Sequence, residues 1–152
     1  MIFLDSSFLI NIIRNNDHAL AILEVLQDSI LVSSVINVYE IWLGFYKNKR
    51  IQSDPNYRKI IESRILTLFD GIQVLTLEER GAILSAKIGG SLITDGKDIG
   101  DKDTIICGIM KNFEIKYILT SNTSHFDRLE NIIVIDENSS LETIINLFKT
   151  KF

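Results

Sequence analysis

Short apolar runs alternate with stretches of helical period along this chain. Met1 to Leu4 carries the β-favouring Ile2 and Phe3, and the Asp5-Ser6-Ser7 that follows marks a passage from strand to helix. A helix is predicted from Ser7 to Arg14, and after a break at Asn15-Asn16 a second one from Asp17 to Leu26, where apolar positions recur at helical spacing. Ile30 to Val32 reads as the next strand. Ser33 and Ser34 can cap a helix from Ile36 to Tyr46, which the Lys47-Asn48-Lys49-Arg50 segment closes.

Ser53-Asp54-Pro55 puts a capping residue before proline and opens a helix through Arg58, Ile61, Ile65 and Leu68, ended by Asp70-Gly71. Ile72 to Leu75 reads as a strand. Thr76 and Glu79 stand at capping-box spacing before a helix to about Ile93, in which Gly89-Gly90 is a point of loosening. The polar, glycine-punctuated loop from Thr94 to Asp103 leads into an apolar helix from about Asp103 to Lys111. Tyr117 to Thr120 and Ile132 to Ile135 are further strands. Ser139 with Glu142 signals the cap of a final helix to about Lys149.

This alternation predicts an α/β fold: a mostly parallel central sheet of four or five strands with helices on both faces. The 152 residues fit one domain, 1–152, able to bury a core without metal or disulfide staples. With 46% hydrophobic residues and only Pro55 as proline, long disordered linkers are not expected. The single cysteine, Cys107, lies in an apolar run, can form no intrachain disulfide and suits a reducing, cytoplasmic setting. The start lacks a basic region and a cleavage site, and no apolar run reaches the ~18 residues of a membrane span, so a soluble, unexported protein is expected.

A net charge of -4 argues against a protein that grips nucleic acid through a broad basic face. A nuclease is compatible with it, because acids gather where the phosphate reacts. A local strip such as Lys47, Lys49 and Arg50 can still track a phosphate backbone, although a solvated helix end explains it equally.

The chemistry sits in acids placed at element ends. Asp5 follows the first strand, where open α/β sheets bind ligands, and it is also a good helix cap. Glu40 has Ile36, Leu43 and Gly44 as its helical neighbours, so its carboxylate projects from a largely apolar face. Such an acid needs a metal, a donor or a salt bridge. Asp101 and Asp103 bracket Lys102 at the start of an apolar helix, where capping accounts for one acid and a solvated loop would account for both. Thr120-Ser121-Asn122 brings hydroxyl and amide groups to the strand edge shared with Asp5, or forms an ordinary turn. Carboxylates converging without Cys or His spacing favour magnesium or manganese over zinc. Such an ion would relieve the mutual repulsion of Asp5, Glu40 and Asp103, activate water and stabilise charge on a phosphate, so hydrolysis of a phosphodiester is the inferred reaction.

Four pieces in order carry a resemblance. They are Ile2 to Ile10, Ser33 to Gly44, Ile99 to Ile106, and Ile118 to Asn122 with His125-Phe126, together spanning about four-fifths of the chain. This pattern resembles the PIN-domain family, specifically the VapC-type toxins of toxin-antitoxin pairs. The resemblance implies a three-layer α/β/α PIN fold and magnesium- or manganese-dependent endoribonuclease activity on RNA. It also implies a homodimer and inhibition by a VapB-like antitoxin. Asp5, Glu40 and Asp103 match the main acidic positions, with Asp5 and Asp103 the foremost metal ligands, and Ser6 or Ser7 matches the hydroxyl beside the first acid. A fourth polar site, frequently Asp in the family, falls on Asn122, an amide without negative charge; Asp101 and Thr120 are the other secondary polar residues. Trp42, Phe45 and Tyr46 could serve the dimer or antitoxin contact, or the core.

Other readings compete. The chain lacks the glycine patterns of a Rossmann dinucleotide site and of a P-loop. A phosphoaspartate enzyme would use Asp5 as nucleophile, but the residue two positions on is Ser7, not a second acid. A catalytically silent PIN-like module would keep the acids for RNA or protein binding alone. His18 and His125 show no metal-ligand spacing and read as structural.

Overall fold

Five short strands form one all-parallel sheet in the order β3-β2-β1-β4-β5. A computed structural model describes residues 1–149; the expected domain of 1–152 runs past this, and residues 150–152 lie outside the described part. The strands are β1 (Ile2–Leu4), β2 (Leu31–Ser34), β3 (Gln73–Leu75), β4 (Tyr117–Thr120) and β5 (Ile133–Asp136). Between and after them run α1 (Ser6–Ile13), α2 (Asp17–Val25), α3 (Val35–Lys47), α4 (Lys49–Ser53), α5 (Pro55–Asp70), α6 (Glu79–Thr94), α7 (Asp101–Asn112), α8 (Thr123–Phe126) and α9 (Leu141–Lys149).

Parallel strands buried on both faces have no polar side to spare. Alternation along β1 accordingly sends Ile2 and Leu4 to one core and Phe3 to the other. The first core packs α1, α2, α3, α5 and α9 residues such as Phe8, Leu9, Ile22, Ile41, Ile65 and Ile144 against Leu119 and Ile135. The second packs Leu92, Ile106, Ile109, Met110 and Phe126 against Val32, Leu75 and Ile118. Two helical layers around the sheet make the expected α/β/α architecture.

β1 is central, and the chain leaves it in two directions: outward through β2 and β3, then back across to β4 and β5. The strand order therefore reverses between β1 and β4, which pair in register as Ile2 with Tyr117 and Leu4 with Leu119. A crevice at such a switch point, beyond the carboxyl ends of the strands, is where open α/β sheets bind ligands.

Local chemistry differs from expectation in several places. Ser33 and Ser34 complete β2, and Ser34 also caps α3 by accepting from Asn37 N at 3.4 Å. Asn48 interrupts the basic segment and caps a separate short helix, α4, by accepting from Arg50 N and Ile51 N. Thr76 makes no capping box: α6 begins later, with Glu78 at its cap and no side-chain bond there. Ser140, not Ser139, accepts from Thr143 N at the start of α9. Gly89-Gly90 does not loosen α6, because Gly89 is where Thr104 of α7 packs closest; a Cβ there would lie 3.0 Å from Thr104 Cγ2.

Candidate active site

Asp5 caps a helix and is buried at the same time. Its Oδ1 caps α1 by accepting from Ser6 N at 2.8 Å and also accepts from Asn37 Nδ2 at 3.0 Å, while Oδ2 accepts from Thr120 Oγ1 at 2.6 Å. A side chain that only capped a helix would stay in water, yet Asp5 is 6% exposed. Burial pushes its carboxyl above the ordinary value of 3.8, and the charges of Asp103 and Glu40 push it further; the bonds from Thr120 and Ser6 oppose the rise. That electrostatic coupling puts the three acids in one field.

Glu40 lies in the second turn of α3, where Oε2 accepts from Ser6 Oγ at 2.7 Å and Oε1 pairs with the Lys102 ammonium. The salt bridge anticipated as an alternative for Glu40 is thus present. Lys102 holds its proton more tightly than usual, chiefly because it bonds Glu40. Asp103 enters the first turn of α7 after Gly100, whose φ of +85° suits glycine at this turn. Its Oδ2 lies 2.6 Å from His125 Nδ1 and accepts from Asn122 Nδ2 at 3.2 Å. The same Nδ1 lies 2.8 Å from Asn122 Nδ2, so Asp103, Asn122 and His125 close a polar triangle.

Hydrogen bonds and electrostatic coupling therefore join Asp5, Ser6, Glu40, Asp103, Thr120 and Asn122, six of the residues singled out from sequence. Asp101 is exposed at the first position of α7, and no hydrogen bond among the described residues ties it to the other acids. Lys47, Lys49 and Arg50 are exposed at the end of α3 and in α4; at 1.5 Å per residue, Lys47 stands about 10 Å further along the helix axis than Glu40. Arg50 lies 4.0 Å over the Tyr57 ring. Phe45 belongs to the core at 3% exposure and Trp42 packs beside it, leaving Tyr46 as the exposed member of that aromatic group.

Three participants escaped the sequence reading. Asn37 bridges Ser34 and Asp5. His125, expected to be structural, sits on Asp103, whereas His18 does bind backbone, at the carbonyls of Glu137 and Ser139. Glu137, 5% exposed, follows β5 as Asp5 follows β1, so the same strand-end signal was there to find. It accepts from Ser7 Oγ at 3.2 Å and from Asn11 Nδ2 at 3.0 Å. Burial raises its carboxyl above 4.5, with Asp5 and Asp136 adding to the rise.

Among the described residues, no three His, Cys, Asp or Glu side chains are disposed to hold one metal ion together. A closed protein cage, as for structural zinc, does not fit this site. The donor chemistry does fit a hard divalent ion: carboxylate and hydroxyl oxygens surround Asp5, and the acids repel one another. Magnesium commonly takes one or two carboxylates and keeps its waters, which requires no cage. A separate cavity of about 720 Å³, between α6, the end of α7 and residues 128–132, contains none of these acids.

The PIN-domain family model matches residues 2–132, so the chain belongs to the PIN-domain family. Solved structures agree with the fold. The chain is similar to one in the FitAcB structure from Neisseria gonorrhoeae, with 27% identity and a TM-score of 0.73 over 90% of this chain and 98% of that one. It is similar also to a chain of VapBC2 from Rickettsia felis bound to a promoter DNA fragment, with 20% identity and a TM-score of 0.75 over 89% and 98%. VapBC-1 from nontypeable Haemophilus influenzae matches at 24% identity and a TM-score of 0.73 over 91% and 100%. No curated protein matches significantly. Among the described residues, no helix is long and apolar enough to cross a membrane.

Proposed function

We propose that this protein is a VapC-type toxin, a metal-dependent endoribonuclease that hydrolyses RNA phosphodiester bonds and is restrained by a VapB-like antitoxin. The observation that carries the reading is the buried Asp5 carboxylate at the sheet's switch point, coupled electrostatically to Glu40 and Asp103. Asp5 and Asp103 would be the carboxylates that hold magnesium or manganese, with Glu40 meeting the ion through one of its waters and Ser6, Thr120 and Asn122 orienting the acids. Asp101 has no such task in this arrangement. When bound, the ion supplies an activated water and neutralises charge on the phosphate.

The chain's own residues do the rest. Thr120 and Asn37 fix the two Asp5 oxygens, and Ser6 bridges toward Glu40. Lys102, at the rim beside Glu40 with a side chain 57% exposed, is placed to meet a phosphate oxygen. His125 and Asn122 set the Asp103 carboxylate. The exposed Lys47, Lys49 and Arg50 would follow the RNA backbone beyond the crevice. Similarity to chains of VapBC complexes supports an antitoxin partner; a homodimer and a cytoplasmic setting belong to the same proposal.

The test incubates purified protein with structured RNAs and magnesium or manganese, alongside EDTA and Asp5→Asn controls. Cleavage lost in both controls is expected. Cleavage unchanged in both would sink the mechanism, and metal binding without cleavage of any RNA would favour a silent PIN-like module.

A further inference from the structure

Glu137 is the buried acid that the metal reading leaves without a task. Ser121 also bonds its side chain, and its link toward Asp5 runs through Ser7, whose hydroxyl has one proton and several neighbours. Ser121 N donates to Ser7 Oγ at 3.0 Å, filling one lone pair. For the proton, the acceptors in reach are Glu137 Oε2 at 3.2 Å, Asp5 Oδ2 at 3.4 Å and Thr120 Oγ1 at 3.5 Å.

The choice among them decides what Asp5 can offer. A carboxylate oxygen has about two lone-pair positions. On Asp5, Oδ1 spends both on Ser6 N and Asn37 Nδ2, and Oδ2 spends one on Thr120 Oγ1. The remaining position on Oδ2 is open only while Ser7 points its proton elsewhere. Glu137 is the nearest acceptor, and it is held from its far side by Asn11 Nδ2 and at its backbone by the bond from Glu137 N to Thr120 O at 3.1 Å.

We propose that Glu137 is a positioning residue for Asp5: it draws the Ser7 hydroxyl proton and so keeps one lone pair of Asp5 Oδ2 free for a divalent cation. The inference rests on the metal role assigned to Asp5 under the proposed function. It also predicts the sign of each substitution. In Glu137→Gln the amide oxygen faces Asn11 Nδ2, so the amide N–H donates to Ser7 Oγ and turns the hydroxyl proton onto Asp5 Oδ2. In Ser7→Ala no proton remains to compete.

Manganese is titrated into the full chain by calorimetry and by electron paramagnetic resonance, neither of which depends on turnover. Circular dichroism checks the fold of each variant. Glu137→Gln is expected to weaken binding about 10-fold or more, as for other partners that orient metal ligands. Ser7→Ala is expected to bind at least as tightly as the parent, and Ser7→Ala/Glu137→Gln to bind like Ser7→Ala alone. Equal weakening by Glu137→Gln in both backgrounds would make its effect independent of Ser7 and overturn the proposal, as would undiminished binding by a folded Glu137→Gln. If Glu137→Gln does not fold, Ser7→Ala decides: retained affinity supports the proposal and a 10-fold loss overturns it. Asp5→Asn separates the two levels, since an Asp5→Asn protein that binds manganese as well as the parent removes the metal reading itself.

Discussion

Replacing Gly108 by alanine would force a Cβ of α7 onto the backbone of α6. A Cβ on Gly108 would lie 1.9 Å from Ser85 Oγ, 2.5 Å from Gly81 O and 2.7 Å from Ser85 N. The hydroxyl can rotate away, but Gly81 O and Ser85 N are backbone, so the helices must separate by about 1 Å to reach ordinary contact distance. Overpacking of this kind costs about 1–3 kcal/mol. Moving Ser85 also disturbs its bonds to Gly81 O at 2.8 Å and Ile105 O at 3.4 Å, adding about 1 kcal/mol. The sum, about 2–4 kcal/mol, corresponds to a fall in Tm of roughly 4–16 °C for a chain of this length. Urea denaturation with an unchanged slope is the assay. Gly90→Ala is the control: nothing lies within 4 Å of a Cβ there, and alanine inside a helix should stabilise by about 0.5–1 kcal/mol. Equal midpoints for Gly108→Ala and the parent would refute the packing argument. Asp103 rides on the same helix, so manganese affinity should fall together with the midpoint.

Asp5→Asn should be more stable than the parent at neutral pH, by about 0.5–2 kcal/mol, because it removes a buried charge kept for function. Since the folded-state carboxyl of Asp5 is raised, its contribution to stability is complete below the ordinary carboxylate value and is lost as pH rises through the folded value. The variant's advantage in urea titrations should therefore grow as pH rises from the ordinary carboxylate range toward neutrality, and an advantage that shrinks in that direction would contradict the burial argument. Lys102→Met removes a cation that competes with the metal at Glu40; exposed ion pairs contribute about 0.2–1 kcal/mol, so manganese affinity should rise by up to about fivefold, and a fall would show that Lys102 supports the site. Asp54→Ala takes away the oxygen that accepts from Asn56 N and Tyr57 N at the head of α5, and should cost about 0.5–2 kcal/mol by thermal melt.

Much of this fold was legible because each element carries its own period and punctuation. Pro55 after Asp54 does start α5, and the run from Tyr117 does make β4. The misreadings share a cause. Thr76, Ser139 and the pair Gly89-Gly90 carry local motifs, while the helices begin or continue where tertiary packing places them; Gly89 is small because Thr104 arrives from another helix. Asp5, Glu40 and Asp103 could be singled out because an acid at a strand end or on an apolar face is costly without a partner. Which partner each one has was not legible. Lys102 reaches Glu40 across 62 positions and Glu137 reaches Ser7 across 130, and such pairings follow from sheet order, which no local window contains.

That sheet order has a consequence for synthesis. Of the five described strands the central one leaves the ribosome before the others, whereas its neighbours on one side, β4 and β5, follow after the rest. Asp5 must wait for Thr120 and Glu137 to complete its surroundings, the latter 132 positions downstream. At about 5–20 residues per second, translation alone imposes a delay of roughly 7–26 s. During that interval the nascent chain presents Asp5 to water without its final donors. The buried acid cluster is a property of the finished chain, so truncation anywhere before β5 should yield a protein without this site.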